Sequence, residues 1–210
     1  MLEILFHNTL DSTQLEAKRL LKGGKASPFC VVADIQTAGV GSRANRWESH
    51  HGNLFFSFVI HRNMLPADLV LSSASIYFGF LMKNVLETAG SEVWLKWPND
   101  LYVGGKKVGG IITHVSGENL ICGIGVNLVG GGEYIGLDVK TDKKTLINAY
   151  ITELKKFPEW KKIFRQFRIE FEQSKRLKTH IDGEEISLEN ASLECDGSLT
   201  INGKRVFSLR

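Results

Sequence analysis

Trp94 to Asp100 reads W-L-K-W-P-N-D, and Gly104 to Ile111 reads G-G-K-K-V-G-G-I. Between them, Leu101 to Val103 is a short apolar run. Pro-Asn-Asp and Gly-Gly-Lys are turn chemistry, so the stretch reads as strands folded back on each other. Val108 to Val115 and Leu120 to Leu128 continue the pattern across the turn S-G-E-N, giving an antiparallel meander. Two indoles and three lysines lie within this segment. Lys96, Asn99, Asp100 and Lys107 presented to one cleft would hold a phosphate beside a carboxylate. The plain alternative is a hairpin with a solvated lysine turn.

Outward from the meander, helical and extended patterns alternate. Asp11-Ser12-Thr13 precedes an apolar series at Leu15, Leu20 and Leu21, with Glu16 three after Thr13 as a capping box. This helix should stop at Gly23-Gly24. Phe29–Ile35 and Asn53–Ile60 read as buried strands. Pro66 suits the first turn of a long helix reaching Ala89, apolar on most sides and hence central. Helices over 142–157 and 159–176 should be broken at Pro158. After Lys178, turns at Asp182-Gly183, Asp196-Gly197 and Asn202-Gly203 separate short runs, as in a small β module. The class is α+β, with a largely antiparallel sheet packed with helices. The division is 1–177 for the main domain and 178–210 for the module.

Composition narrows the possibilities. A chain of 210 residues buries a core without staples. Cys30, Cys122 and Cys195 are too far apart for a C-x-x-C pair and read as small buried side chains of a protein kept in a reducing cytoplasm. Leu69–Met82 is too short to span a bilayer, and the N-terminus has an acid where a signal peptide needs positive charge, so no membrane role is expected. Net charge is +3. Residues 151–180 carry nine basic and four acidic side chains, a pattern of a solvated helix face or of a contact with an acidic partner. No metal spacing occurs among the six histidines, and His50-His51 reads as a surface pair.

Residues 36–52, Q-T-A-G-V-G-S-R-A-N-R-W-E-S-H-H-G, form a long polar loop. Gly39 to Ala44 satisfies G-x-G-x-x-A. No helix follows it, and no acid stands about 20 residues on, so it is not a dinucleotide fingerprint. Its glycines still let backbone N–H groups approach an anion, and Arg43 and Arg46 add charge. Gly123 and Gly125 interrupt a strand before Asn127, a mark of close approach by a ligand or another backbone. Ser12 most simply caps a helix.

Taken in order, D-S-T-Q (11–14), Q-T-A-G-V-G (36–41), K-W-P-N-D (96–100), G-K-K-V-G-G-I (105–111) and G-I-G-V-N-L (123–128) resemble the biotin protein ligase family, the biotin–[acetyl-CoA-carboxylase] ligases. The resemblance implies a catalytic domain of the class II aminoacyl-tRNA synthetase and biotin ligase type with a shortened SH3-like C-terminal module. It implies the monofunctional class without a DNA-binding domain, and no nucleic-acid partner. The reaction implied uses ATP, biotin and Mg²⁺, forms biotinyl-5′-AMP, and transfers biotin to a lysine of a biotin carboxyl carrier protein, the enzyme being a monomer or homodimer.

By the same resemblance, Ser12, Thr13 and Gln36 would hydrogen-bond the ureido ring, with Gly39, Gly41, Gly109 and Gly110 around biotin. Lys107 would lie between the biotin carboxylate and the α-phosphate. Ser42, Arg43, Arg46, Trp47, Asn99 and Asn127 would bind ATP, with Trp47 and Asn127 flanking adenine. Asp100 would assist the second step, and Lys96 joins Lys107 and Asp100 in the catalytic set. The usual G-R-G-R-x-x-R-x-W loop is altered. Val40, Ser42 and Asn45 stand at its arginine positions, and Arg43 and Arg46 each fall one place later. A lipoate or octanoyl ligase shares the fold and is the nearest rival. A nucleic-acid or protein-binding module using residues 151–180, and an inactive relative, are further readings.

Overall fold

The computed structural model describes residues 2–42, 45–131, 134–181 and 183–207. Nine strands and four helices make up most of the chain before residue 178. The strands are β1 (Glu3–Leu10), β2 (Phe29–Gln36), β3 (Gly39–Val40), β4 (Arg46–Trp47), β5 (Leu54–His61), β6 (Val93–Lys96), β7 (Asp100–Val103), β8 (Lys106–Ser116) and β9 (Asn119–Val126). The helices are α1 (Thr13–Lys22), α2 (Ala74–Thr88), α3 (Lys143–Leu154) and α4 (Trp160–Ser174). Seven strands form one sheet in the order β1-β2-β5-β9-β8-β7-β6. Only the β1–β2 pair is parallel among them.

Side-chain alternation gives this sheet two different faces. Cys30, Val32, Leu54, Phe56, Phe58, Leu120, Cys122 and Ile124 point to one face and join the main core with α2, α3 and α4. Twelve of the fifteen α2 residues are buried, as an almost wholly apolar helix requires. On the other face, Phe29, Val31, Val59 and Ile121 pack under Ala17 of α1. Next to that patch β5, β9 and β8 present Ser57, Gly123, Gly125 and Gly110, where the first turn of α1 reaches Ser57 and Gly123 through Thr13 and Gln14. The site lies there.

Three elements differ from the sequence expectations. Ser12 caps α1 as expected, its hydroxyl accepting from the Gln14 N–H, but the expected Thr13–Glu16 capping box does not form. Glu16 pairs with Arg19 instead of closing a capping box. The central helix begins at Ala74, not Pro66. The segment between holds turns and a short 3-10 helix, Leu71–Ser73, and Asp68 within it caps α4 by accepting from the N–H groups of Trp160 and Lys161. That distant demand on Asp68 outweighs the local helix signal. Cys30 and Cys122 are buried as expected, but Cys195 is exposed.

The last strands are β10 (Lys178–Ile181), β11 (Glu184–Ser187), β12 (Ser192–Leu193), β13 (Leu199–Ile201) and β14 (Lys204–Val206), in two small sheets. Asn202 and Gly203 both have positive φ and turn β13 into β14, the geometry an Asn-Gly hairpin prefers. These strands are not detached from the rest. Leu188, Ala191, Leu199 and Ile201 belong to the main core. The Trp97 indole N–H donates to the Gly197 carbonyl, behind the W-P-N-D turn. Edge strand β6 is closed by α4, whose Glu170 and Ser174 side chains accept from the N–H groups of Leu95 and Trp97. An edge so covered cannot recruit another strand.

Candidate active site

This part of the sheet is lined with glycine because other groups lie on it. A Cβ at Gly125 would stand 2.8 Å from the Trp47 indole, and one at Gly110 would stand 3.2 Å from it. A Cβ at Gly123 would fall 2.7 Å from Gln14 Oε1 and 3.1 Å from Ser57 Oγ. At Gly109 it would meet the Gly125 carbonyl at 2.8 Å. The indole and the Gln14 amide thus rest directly on the strands. Two cavities open above this floor, with Trp47, Arg46 and Lys107 in the wall they share.

The first cavity holds about 110 Å³ and is bordered by Ser12, Thr13, Gln14, Gln36, Ser57 and Gly123 at one end. Its polar groups are already organised. Gln36 Oε1 accepts from the Thr13 N–H at 2.8 Å and from the Thr13 hydroxyl at 3.1 Å. That hydroxyl has one proton, so Ser57 is the donor in the 2.8 Å contact between Ser57 Oγ and Thr13 Oγ1. The Gln36 N–H is bound in turn by the Ser49 hydroxyl at 2.8 Å. Ser12 and Thr13 are buried, which their place in the first turn of α1 explains.

The second cavity is larger, about 420 Å³, and is bordered by Arg46, Trp47, Glu48, Lys106, Lys107, Asn127, Tyr134 and Ile135. Three cations face one carboxylate. Asn127 is buried there and accepts from the Asn53 amide at 3.4 Å, while its backbone carbonyl accepts from the Leu137 N–H.

Lys107 reaches the site through an irregularity of the sheet. The β7–β8 register shifts between Leu101, paired with Gly109, and Tyr102, paired with Lys107, so Val108 is the extra residue of a β-bulge. In a regular strand Lys107 and Gly110 would point to opposite faces. With the bulge both border the first cavity, while Val108 and Ile111 both enter the core. Lys107 Nζ is fixed at 2.6 Å from Asp100 Oδ1 and at 5.5 Å from the centroid of the Trp47 ring. An ammonium held between a carboxylate and an indole face, on the wall between two cavities, can meet two anions at once.

Most of the residues singled out in the sequence gather here. Ser12, Thr13, Gln36, Gly41, Ser42, Arg46, Trp47, Asn99, Lys107 and Gly110 border the first cavity, and Arg46, Trp47, Lys107 and Asn127 the second. Asn99 is chiefly a brace, since its amide donates to the Ile111 carbonyl at 2.7 Å and its own carbonyl accepts from the Ile111 N–H. Gly39 supports from behind: a Cβ there would strike the Trp47 carbonyl at 2.5 Å. Gly109 supports the strand spacing and borders neither cavity. Asp100 contributes through Lys107.

Lys96 stands apart from both cavities. It is buried opposite Asp100 in the hairpin, with Nζ 5.5 Å from the centroid of the Tyr102 ring. Burial and the Asp100 charge push the Tyr102 phenol up to about 12, so that ring is neutral. The glycine loop is a small hairpin, β3 against β4, and among the described residues no α-helix follows it before β5. Arg46 donates to the Thr37 carbonyl. Arg43 lies outside the described residues. Gln14, Ser57, Lys106 and Tyr134 also border the site and were not singled out. Ser57 had a signal, being the one polar residue inside L-F-F-S-F-V-I; Tyr134 had none.

Known proteins show the same arrangement of sequence and fold. A sequence model described as the biotin/lipoate A/B protein ligase family matches residues 6–128. The solved biotin acetyl coenzyme A carboxylase synthetase of Helicobacter pylori, with bound biotinylated ATP, is 35% identical with a TM-score of 0.95, over 99% of this chain and 100% of that one. The bifunctional ligase/repressor BirA of Bacillus subtilis is 33% identical over 130 residues, 60% of this chain and 40% of that protein. The biotin–[acetyl-CoA-carboxylase] ligase of Paracoccus denitrificans is 34% identical over 130 residues, 57% of this chain and 52% of that protein. The chain therefore matches about half or less of the length of these two curated relatives.

Proposed function

Since the chain belongs to the biotin/lipoate A/B protein ligase family, we propose that it is a biotin protein ligase, joining biotin to ATP as biotinyl-5′-adenylate and then biotinylating one lysine of a biotin carboxyl carrier protein. In the first step the biotin carboxylate oxygen attacks the α-phosphorus, and the bond to the departing pyrophosphate breaks. In the second the lysine amine attacks the acyl carbon, the bond to AMP breaks, and the amine loses a proton. One observation carries the reading: Lys107 Nζ stands on the wall between a small hydrogen-bonding cavity and a larger cationic one, held by Asp100 and Trp47.

The division of labour follows from the two cavities. Ser12, Thr13 and Gln36 take the ureido ring of biotin. Trp47 and Asn127 bound the adenine, Arg46 and Lys106 face the phosphates, and Ser42 approaches them from the first cavity. Lys107 offsets the repulsion between carboxylate and α-phosphate, and it does more as charge builds on the phosphoryl oxygens. The rest is positioning of two reactants along one wall. Asp100 holds Lys107 in the first step and takes the amine proton in the second. Magnesium enters as the ATP complex, held through the phosphates as that ion usually is. Among the described residues no three His, Cys, Asp or Glu side chains gather as a metal cage. No described helix is long and apolar enough to cross a membrane, and a cytoplasmic location belongs to the same proposal.

A lipoate ligase is disfavoured by the polar end of the first cavity. Ser12, Thr13, Gln36 and Ser57 offer hydrogen-bonding groups there that a dithiolane cannot use and a cyclic urea can. The test is transfer itself. With biotin, MgATP and a carrier domain, an avidin blot should show label on the wild-type carrier and none on a carrier with its acceptor lysine changed to arginine. Lipoate in place of biotin should give no modification by mass spectrometry. Equal use of lipoate would overturn the assignment.

A further inference from the structure

The turn between β12 and β13 ties together three elements of the main domain. Three consecutive backbone carbonyls in it each accept from a different one. Cys195 takes the indole N–H of Trp160, at the start of α4, at 2.9 Å. Asp196 takes the hydroxyl of Ser73, just before α2, and Gly197 takes the Trp97 indole N–H at 2.9 Å. The turn is itself braced. Asp196 accepts from the Ser198 N–H and hydroxyl, and Arg205 donates to both side chains. A Cβ at Gly197 would fall 2.6 Å from Ser73 Oγ, so the turn is pressed against its neighbours. Of the three donors, Trp97 lies nearest the chemistry. It opens W-P-N-D, is fully buried, and its backbone N–H donates to Ser174 at 3.1 Å. Two residues on, Asn99 is bonded twice to Ile111, and the next residue, Asp100, holds Lys107 Nζ at 2.6 Å.

We propose that Trp97 is a positioning residue for the reaction: its indole N–H, tied to the Gly197 carbonyl, sets the W-P-N-D turn and, through Asp100, the place of Lys107. The proposal rests on the ligase reading, in which Lys107 bridges two substrates, and deepens it. Pairing with Lys96 and Gly110 fixes Asp100 along its strand. A turn can still tilt about the strands it joins, and a buried ring anchored at its end removes that freedom. Where catalysis is mostly positioning, a displacement of about 1 Å is enough to cost rate. The Trp160 bond provides an internal comparison. It meets the same C-terminal turn but leads to the start of α4, the end remote from Glu170 and Ser174, which touch Leu95 and Trp97. It holds the module to the domain and has no such route to Lys107.

The test removes one N–H at a time and keeps the ring. Benzothienylalanine, which has sulfur in place of the indole N–H, is incorporated in the full chain at Trp97 alone or at Trp160 alone. Biotin-dependent exchange of pyrophosphate into ATP is measured together with the melting temperature. At Trp97, kcat should fall about fivefold or more, with KM for biotin and for ATP within about twofold of wild type. At Trp160 the melting temperature should fall as much as at Trp97, while kcat stays within about twofold. In an Asp100→Ala background the Trp97 replacement should cost less than about twofold further, because the route to Lys107 is already cut. Should the Trp97 replacement not fold, Arg205→Gln loosens the same turn from its exposed side. It should then lower kcat about two- to threefold at unchanged KM. A kcat unchanged in the Trp97 or the Arg205 variant, a kcat lowered equally at Trp160, or a full loss retained in the Asp100→Ala background is what a purely structural tryptophan gives, and any of these would overturn the proposal. Wild type that shows no exchange would instead overturn the ligase reading itself.

Discussion

The two cavities that meet at Lys107 are built in opposite ways. The first is small and bonded within itself: Thr13, Gln36, Ser57 and Ser49 form one connected set of hydrogen bonds among buried and half-buried groups. The second is wider, and its walls carry Arg46, Lys106 and Lys107 with Glu48. A fixed set of donors and acceptors recognises one shape and rejects its near relatives. A cationic wall attracts any polyphosphate, and in the proposed function the indole and Asn127 hold the base. On the proposed reading one sheet serves two substrates: selectivity is invested where a neutral ring would bind, and charge where an anion would bind.

The sharpest way to break this contrast is at the residue both cavities share. Lys107→Ala should lower the rate of adenylate formation by about 10²–10³-fold, the scale of losing one electrostatic stabiliser of a transition state. The melting temperature should change little, since Lys107 is partly exposed. A rate within threefold of wild type would remove Lys107 from the chemistry. Next in size is Gly125→Ala. Its Cβ collides with the indole in the common wall, so KM for ATP and KM for biotin should both rise, roughly tenfold each given the cost of overpacking. Gly123→Ala touches Gln14 and Ser57 instead. It should raise KM for biotin alone, and a parallel rise in KM for ATP would show that the cavities are not separate.

Much of this was legible before the fold. The meander, the glycine-bearing strand ending at Asn127, the caps of α1 and the D-G and N-G turns all depend on neighbours in sequence. So does the dismissal of a dinucleotide fold from G-x-G-x-x-A, because strand β4 follows where a helix would be needed. What escaped depends on distant partners. Residues 66–73 look helical, but Asp68 is drawn off to cap α4 more than 90 residues away. Nothing local announces the bulge at Val108, yet it turns Lys107 toward the site. Lys96 reads as a third site lysine from its spacing, while its strand position sends it beneath Tyr102. Gln14 sits beside two predicted ligand residues, and only the Gly123 strand shows that its amide lies against the cavity floor.

Smaller effects separate the cavities further. Ser57→Ala removes the donor to Thr13 and should weaken biotin about three- to tenfold while leaving ATP unchanged, as expected for one net hydrogen bond. Raising ionic strength from about 0.05 M to about 0.5 M should raise KM for ATP a few-fold and leave biotin binding nearly flat, because exposed charges are screened and buried hydrogen bonds are not. A biotin affinity that falls with salt as steeply as that for ATP would erase the distinction between a bonded and a charged cavity.

The most direct measurement is exchange of labelled pyrophosphate into ATP by the purified chain, with and without biotin. It needs both cavities and Lys107, and it needs no acceptor protein. Exchange that depends on biotin and magnesium, and that Lys107→Ala abolishes, is the expected result. Exchange that is absent, or that proceeds equally without biotin, would contradict the idea that one lysine joins two substrates across a shared wall.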